Sequence, residues 1–408
     1  MIIFFVSNAS AVVVDRLEII GNTKTKYAVI ADEIEFSPGM NIDEPWITEA
    51  QQRLQNIRLF TDVKVKRVKN VVNVKITERW TTIPIMKFNS GGGVQQLTLG
   101  VYDPHIAGRN LELGTQYQKL EDTHSGVIWF KKPRFLSRSY GIDLQYWKTN
   151  RLRTKYDQTE DRLVVKNGFL HIRDKLYTAI IKEHSQLLKT RYFYEFNRDK
   201  FSNRIIPAEV KAQSIAVGLP PDSNFHFAGI GTTYGRINYQ EWLQSGQDFS
   251  LYARYAFAST DNIDNFFDVN GTYRFFHAYK DHNFAQRIQF GITNTDVLQY
   301  WNYLGGLDKI RGYTDNRFAG RYYILSNSEY RVPLYQRPSF VFQSVGFLDL
   351  VSVADKVRDI SSLRGSSIGL DGRIILPRIY RFVLRLDYAR LLKRKDDNSI
   401  SFGVQQFF

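Results

Sequence analysis

Residues 380–389 read Tyr-Arg-Phe-Val-Leu-Arg-Leu-Asp-Tyr-Ala. At a period of two, Tyr380, Phe382, Leu384, Leu386 and Tyr388 share one face, and Arg381, Val383, Arg385, Asp387 and Ala389 share the other. A soluble sandwich would have to pair or desolvate those Arg and Asp side chains in its core, at a cost of several kcal/mol each. The wall of a membrane barrel, with lipid on one side and a polar lumen on the other, accommodates both faces. The pattern recurs. Phe249, Leu251, Ala253, Tyr255 and Phe257 oppose Ser250, Tyr252, Arg254 and Ala256, and Val269, Gly271, Tyr273 and Phe275 oppose Asn270, Thr272 and Arg274.

Composition agrees with a barrel. The 408 residues include 24 Tyr, 29 Phe and 6 Trp, many for a soluble chain, and mean hydropathy is only −0.34 because alternation averages the lipid-facing half away. No run of about 18 apolar residues is present, which excludes a transmembrane helix. The absence of Cys excludes a disulfide scaffold, a thiolate zinc site and a cysteine nucleophile. The net charge of +14 is spread through the alternating segments rather than gathered in one patch. A polar lumen and loops facing anionic headgroups account for it without nucleic acid.

Met1 to Val6 is a short apolar run, and Ala9-Ser10-Ala11 has the small-x-small pattern of a cleavage site, so residues 1–11 are expected to be the tail of a signal peptide. Residues 12–79 form a β-α-α-β-β pattern. Val12 to Ile20 is strand-like; Tyr27, Ile30, Ala31 and Ile34 form one helical stripe; Pro45 opens a second helix with Ile47, Ala50, Leu54 and Ile57 on one face. Two strands follow, Asp62 to Val68 and Val71 to Thr77. In that order and spacing, the phrase Asn56-Ile57-Arg58-Leu59-Phe60-Thr61-Asp62-Val63 resembles a POTRA domain, the periplasmic module of outer-membrane assembly factors.

From Trp80 onward no helical pattern is found, and residues 80–408 are expected to form a membrane all-β domain, an antiparallel transmembrane β-barrel. Candidate strands centre near 85, 98, 115, 128, 144, 166, 180, 232, 252, 272, 289, 326, 344, 370, 385 and 403, sixteen in all, within the even-numbered range of such barrels. Long connections at 150–160, 186–225, 295–320, 351–364 and 392–397 are expected outside, and short turns near Asp103-Pro104, Arg173-Asp174 and Leu376-Pro377 on the periplasmic side.

The stretch Leu304-Gly305-Gly306-Leu307-Asp308-Lys309-Ile310-Arg311-Gly312-Tyr313, followed by Ser328-Glu329-Tyr330-Arg331-Val332-Pro333-Leu334, is similar to the signature of the BamA-type assembly-factor, or bacterial surface antigen, family. The resemblance implies that the Arg311-Gly312-Tyr313 tip of the sixth extracellular loop, near 295–320, folds back into the lumen. A buried guanidinium needs carboxylates. Glu329 alternates with Tyr330, and Asp349 with Leu348 and Leu350, so both are expected to face inward. The family has Phe-x-Asp-x-Gly at the second partner, whereas this chain has Val351 in the Gly position. Gly100 to Asn110 resembles a family turn. Residues 400–408 resemble its C-terminal β-signal, with Phe402, Val404 and Phe408 expected to face lipid, although Gln406 interrupts the row.

No catalytic constellation stands out. His277 and His282 bracket a turn without further metal-ligand partners, and no Gly-x-Ser-x-Gly or phosphate loop is present. No catalytic, cofactor-binding or metal residues are assigned, and an enzyme is not expected. The resemblance implies a bacterial outer-membrane protein with its POTRA domain in the periplasm. Its partners would be client outer-membrane or secreted proteins, periplasmic accessory proteins and outer-membrane lipid, with no nucleic acid. The implied work is insertion of clients through a lateral seam between the first strand, near Thr81 to Asn89, and the last, near Ser399 to Phe408. The alternatives are a polypeptide-secreting transporter, which usually carries two POTRA domains and a plug helix, and a passive pore or structural barrel.

Overall fold

A computed structural model describes residues 12–91, 94–120, 122–156, 165–204, 206, 208–259, 263–306, 308–313, 316–392, 398–404 and 408, with backbone only for 87–91, 94–96 and 209. The signal-peptide expectation for 1–11 lies outside the described residues.

The first unit is a small α+β sandwich. The expected first strand divides at Asp15: Val12–Val14 pairs with a short strand, Met40–Ile42, while Arg16–Ile20 lies parallel to Val71–Glu78. Val71–Glu78 is the central strand, with Phe60–Val68 antiparallel on its other side. Helices Tyr27–Glu33 and Glu44–Asn56 cover one face. The side chain of Asp43 caps the second helix by accepting the Trp46 N–H at 2.9 Å. Ile30, Ala31 and Ile34 from one helix and Ile47, Ala50 and Leu54 from the other pack on Val63, Val65, Val72, Val74 and Ile76. Tyr27, placed on the stripe by sequence, is exposed.

The second unit is an antiparallel sheet of sixteen strands, paired in sequence order from Ile83–Gly91 to Asn398–Val404 and curled into a nearly closed barrel. The two-residue alternation runs through most of the strands. In Val383–Leu391, for example, Arg385, Asp387 and Ala389 are buried while Leu386 and Tyr388 are exposed. Outward rows elsewhere expose Tyr192, Tyr194, Ile230, Leu251, Tyr255 and Ile324, an apolar surface that only lipid can cover at this extent. No described helix is long and apolar enough to cross a membrane.

Three expectations are corrected. The segments centred at 166 and 180 are one strand, Val165–Glu183, so Arg173-Asp174 is mid-strand and not a turn. Region 186–225 is not all loop, because it holds strand Leu188–Ser202. The two errors cancel in the total of sixteen. The same region contains a helix, Ala208–Val217, where none was expected. It lacks an apolar stripe, and is held by Val210 packing with Leu120, Leu170 and Ile206.

The first unit sits on one end of the barrel and touches it there. Arg138 reaches Asp32 (2.9 Å) and the Phe36 carbonyl (2.8 Å), Arg134 reaches Glu33 (3.1 Å), and Asn56 donates to Asn238 (3.1 Å). The long connections, 203–222 and 294–321, lie at the other end. Among the connections at this end, 104–111 meets the first unit backbone to backbone: Lys26 N–H donates to the Gly108 carbonyl at 2.9 Å. Gly108 has φ +70°, and a Cβ there would lie 1.9 Å from the Lys24 carbonyl oxygen, so only glycine fits.

His105 pins this contact. Its Nδ1 accepts from the Asn110 N–H (3.0 Å), which leaves Nε2 to donate to Thr25 Oγ1 (2.9 Å). Burial, and then the Lys24 charge, lower its pKa to about 4, against the opposing pull of Glu78 and Asp103. Burial would raise Glu78, but hydrogen bonds from Thr23, Thr25 and Lys24 outweigh it and hold this carboxyl below its ordinary value. A docked ring that resists protonation loses ground to an undocked one as pH falls below the ordinary value of about 6.5. Docking is therefore expected to be strongest above that pH and to weaken progressively toward about 4. Hydrogen exchange at the Lys26 amide checks this, and His105→Asn should flatten the profile. A pH-independent wild-type signal would remove His105 from the contact.

Candidate functional site

The connection 294–321 turns back into the barrel. At its tip Arg311 is fully buried, and strands Tyr322–Gln336 and Val341–Ala354 supply its partners. Asp349 accepts from the Arg311 backbone N–H (3.0 Å), Nε (2.9 Å) and Nη2 (2.8 Å), while Glu329 accepts from Nη1 (2.7 Å). The guanidinium plane stacks on Phe347, 3.6 Å from the ring centroid. Glu329 is 1% exposed and its neighbour Tyr330 51%, the inward-outward alternation of the strand.

The clasp is part of a larger charge lattice. Glu329 also accepts from Arg331 (2.8 Å) and Arg373 (2.8 Å), Arg373 is bound to Asp371 (2.7 Å), and Asn327 donates to Asp349 (2.9 Å). Asp387 stands 4.0 Å from Arg311 and 3.3 Å from Arg385. Four acids and four arginines thus alternate inside the wall. The lumen here is a packed ionic network rather than an open polar space.

Gly312 and Tyr313 complete the tip. Tyr313 Oη donates to the Ser366 carbonyl (3.2 Å) and accepts its N–H (3.1 Å). Tyr313 joins Leu304, Ile310, Phe318, Val351 and Leu391 in an apolar cluster. Val351 sits in an unbroken ladder, and its side chain adds to this cluster. Gly312 has φ +88°, and a Cβ would lie 2.8 Å from Leu391 and 3.1 Å from Ala389. Gly312→Ala is therefore expected to lift the tip while leaving the barrel wall intact, seen as new proteolysis within 294–321 at unchanged barrel melting.

The near limb of the same loop has a second anchor that sequence reasoning missed. Tyr300 Oη donates to Asp199 (2.7 Å), which also accepts from Arg173 (2.6 and 3.0 Å) and meets His171 Nε2 at 2.8 Å. The Tyr300 ring packs edge-on against Phe225 and lies under the Arg173 guanidinium at 4.5 Å. Arg153 covers Tyr303 and Lys155 covers Trp301 in the same way. The inward parity of His171, Arg173, Asn197 and Asp199 carried this signal, but reading Arg173-Asp174 as a turn hid it. The loop thus crosses the lumen, tied to strands at 165–202 and again at 322–354.

Of the three C-terminal residues singled out, Phe402 faces outward and Val404 shares its parity on strand Asn398–Val404. Phe408 does not face lipid. It packs with the inward-facing Ile237, Phe276 and Ala285, and the guanidinium groups of Arg287 and Arg331 lie over its ring. Gln406 is outside the described residues. Among the described residues no group of three or more His, Asp or Glu side chains is arranged to hold a metal ion.

A POTRA unit joined to a sixteen-stranded barrel with a loop clasped in its lumen defines the class of protein. Residues 12–79 match the family model of POTRA, described as surface antigen variable number repeat. No curated protein sequence matches the chain. Among solved structures, BamA from Haemophilus ducreyi lacking POTRA domains 1–3 is similar over 96% of this chain and 83% of its own, with 13% identity and a TM-score of 0.55. CdiB from Acinetobacter baumannii is similar over 97% and 74%, with 14% identity and a TM-score of 0.60. CdiB from Escherichia coli is similar over 99% and 92%, with 10% identity and a TM-score of 0.51. The chain has the POTRA-and-barrel fold of these proteins.

Proposed function

We propose that this protein resides in the bacterial outer membrane with its POTRA domain in the periplasm, and that it inserts client β-barrel or translocated proteins through the seam between its first and last strands. One observation carries the reading. Each strand from Ile83–Gly91 to Asn398–Val404 is laddered to its sequence neighbour, yet among the described residues no ladder joins the first to the last. Two unjoined edges in lipid leave backbone groups without partners, each costing several kcal/mol, and a client strand relieves that cost by β-augmentation.

The occupied lumen favours the seam over a conduit. Polypeptide secretion through the interior, or a steady passive pore, requires displacing a loop tied at Asp199, Glu329 and Asp349. The test is reconstitution of the full chain in liposomes with an unfolded outer-membrane barrel as client. Folding of the client, read by its heat-modifiable electrophoretic mobility, should outpace folding in empty liposomes. Equal rates would refute the proposal. Deleting 12–79 should leave a folded barrel that no longer accelerates the client.

A further inference from the structure

Between the POTRA unit and the base of the barrel lies a cavity of about 260 Å³, lined by Arg58, Arg79, Arg274 and Arg381 together with Glu241 and Trp242. Its charge is unbalanced. Arg274 is matched by Asp248 (2.9 Å) and Arg79 Nε donates to the Phe60 carbonyl (2.7 Å), which leaves three guanidinium groups facing two acids among the described lining residues, Glu241 and the carboxyl end of Phe408. Arg58 lies over Tyr239, 4.5 Å from the ring centroid, but its Nε is buried with no hydrogen-bond partner. Trp242 Nε1 is in the same condition. Two orphaned buried donors on the wall of one cavity call for an acceptor inside it.

Backbone conformation points to the same place. Arg58 has φ +61° just past helix Glu44–Asn56, where Gly or Asn is usual, and Arg381 has φ +49° in the connection 376–382. Arginine at both positions accepts strain that holds its side chain in the cavity. Burial, and then the nearby Arg381 charge, lower the pKa of Arg58, and burial followed by Arg58 lowers Arg79 to about 10. Burial is the larger cause in both and the neighbouring guanidinium adds to it, whereas Arg381, against the effect of burial, is held above its ordinary value by Tyr380 and Tyr239.

We propose that this cavity binds a phosphate group, either free or carried by the headgroup of an anionic phospholipid. The donors come from two units, Arg58 and Arg79 from POTRA and Arg381 and Trp242 from the barrel, so they approach from different sides. A tetrahedral phosphate presents acceptor oxygens in several directions, and guanidinium groups pair with it well. A second cavity of about 240 Å³ shares Arg58, Arg79, Tyr239 and Glu241 and runs along strand Phe60–Val68, which gives a route in. Bound phosphate would brace POTRA against the connection 376–382. Trp80 already holds that connection through hydrogen bonds from its N–H to the Arg378 carbonyl and from the Tyr380 N–H to its own carbonyl (both 2.9 Å). The proposal stands whether or not the protein inserts clients.

The test uses the full chain in a phosphate-free detergent, titrated calorimetrically with inorganic phosphate, and in a second arm reconstituted with phosphatidylglycerol or phosphatidylcholine and examined by native mass spectrometry. Saturable phosphate binding that weakens at least tenfold in Arg58→Gln/Arg381→Gln, weakens in Trp242→Phe and is unchanged in Arg109→Gln supports a free-phosphate site. Retention of phosphatidylglycerol by the wild type but not by the double variant, without free-phosphate binding, supports the headgroup. Trp242→Phe removes a single donor, so it reads the site even if the double variant folds poorly. Absence of both kinds of binding, or binding indifferent to all these substitutions, overturns the proposal.

Discussion

Arg311→Ala is expected to free the loop tip from the lumen, with protease cleavage appearing near Tyr313 while the barrel remains inserted. The side chain and its own amide make four hydrogen bonds to two fully buried carboxylates. Removing one partner of such a network leaves charge buried without compensation, at a cost of about 3–5 kcal/mol. Asp349 keeps Asn327, and Glu329 keeps Arg331 and Arg373, so the wall itself retains partners and should hold. The cost falls on the docked loop. About 3 kcal/mol corresponds to a roughly hundredfold rise in the undocked population.

Arg311→Lys should fall between wild type and Ala, because an ammonium keeps the charge but cannot span Glu329 and Asp349 as a planar fork does. Asp349→Ala should act like Arg311→Ala. Glu329→Ala should do more, since it also strands Arg331 and Arg373 and so should lower the melting temperature of the wall. Protease resistance and client folding at wild-type levels in all three Ala variants would show that the loop is held by other contacts, with the Tyr300–Asp199 anchor the first to test.

Much of this arrangement was legible in the chain because β-alternation is a local signal. Outward Tyr330 and inward Glu329, or outward Tyr388 and inward Asp387, follow from parity alone once a lumen is assumed. What escaped was what tertiary contacts decide. Arg173-Asp174 resembles a turn, yet Arg173 faces the lumen and pairs with Asp199, while Asp174 faces out and accepts from the Tyr146 hydroxyl (3.1 Å). The sequence Ala208 to Val217 carries no apolar stripe, so periodicity could not reveal a helix whose anchor, Val210, sits where Gly168 leaves room for it. Phe408 has the parity of Phe402 and Val404, but its ring packs with Ile237, Phe276 and Ala285 beneath the Arg287 and Arg331 guanidinium groups, contacts that strand parity does not encode. Gly403 makes space for a lumenal arginine, since a Cβ there would lie 2.9 Å from Arg385 Nε.

The seam yields the other large effect: a disulfide across it is expected to abolish client insertion. The last strand is held on one side by seven residue pairs to Val383–Leu391, and the first by nine pairs to Val94–Asp103. Each cross-strand pair contributes on the order of 0.2–1 kcal/mol, so the free edges belong to short ladders that can part locally without unfolding the wall. A cavity of about 330 Å³ is lined by Pro84, Ile85 and Met86 of the first strand and Val404 of the last, which marks where the edges come near one another. Cysteine pairs combining Ile85→Cys or Met86→Cys with Phe402→Cys or Val404→Cys would sample the geometry a disulfide requires. The chain has no cysteine of its own, so any bond formed is the engineered one. The oxidised protein should melt at the same temperature or higher, because a crosslink constrains the unfolded chain. Its client folding should fall to the level of empty liposomes and return on reduction. Recovery on reduction separates a locked seam from a barrel distorted by the substitutions. A crosslinked protein that still folds clients at the normal rate would rule out opening between these strands, and would leave the rim occupied by POTRA or local thinning of the bilayer as the place where the work is done.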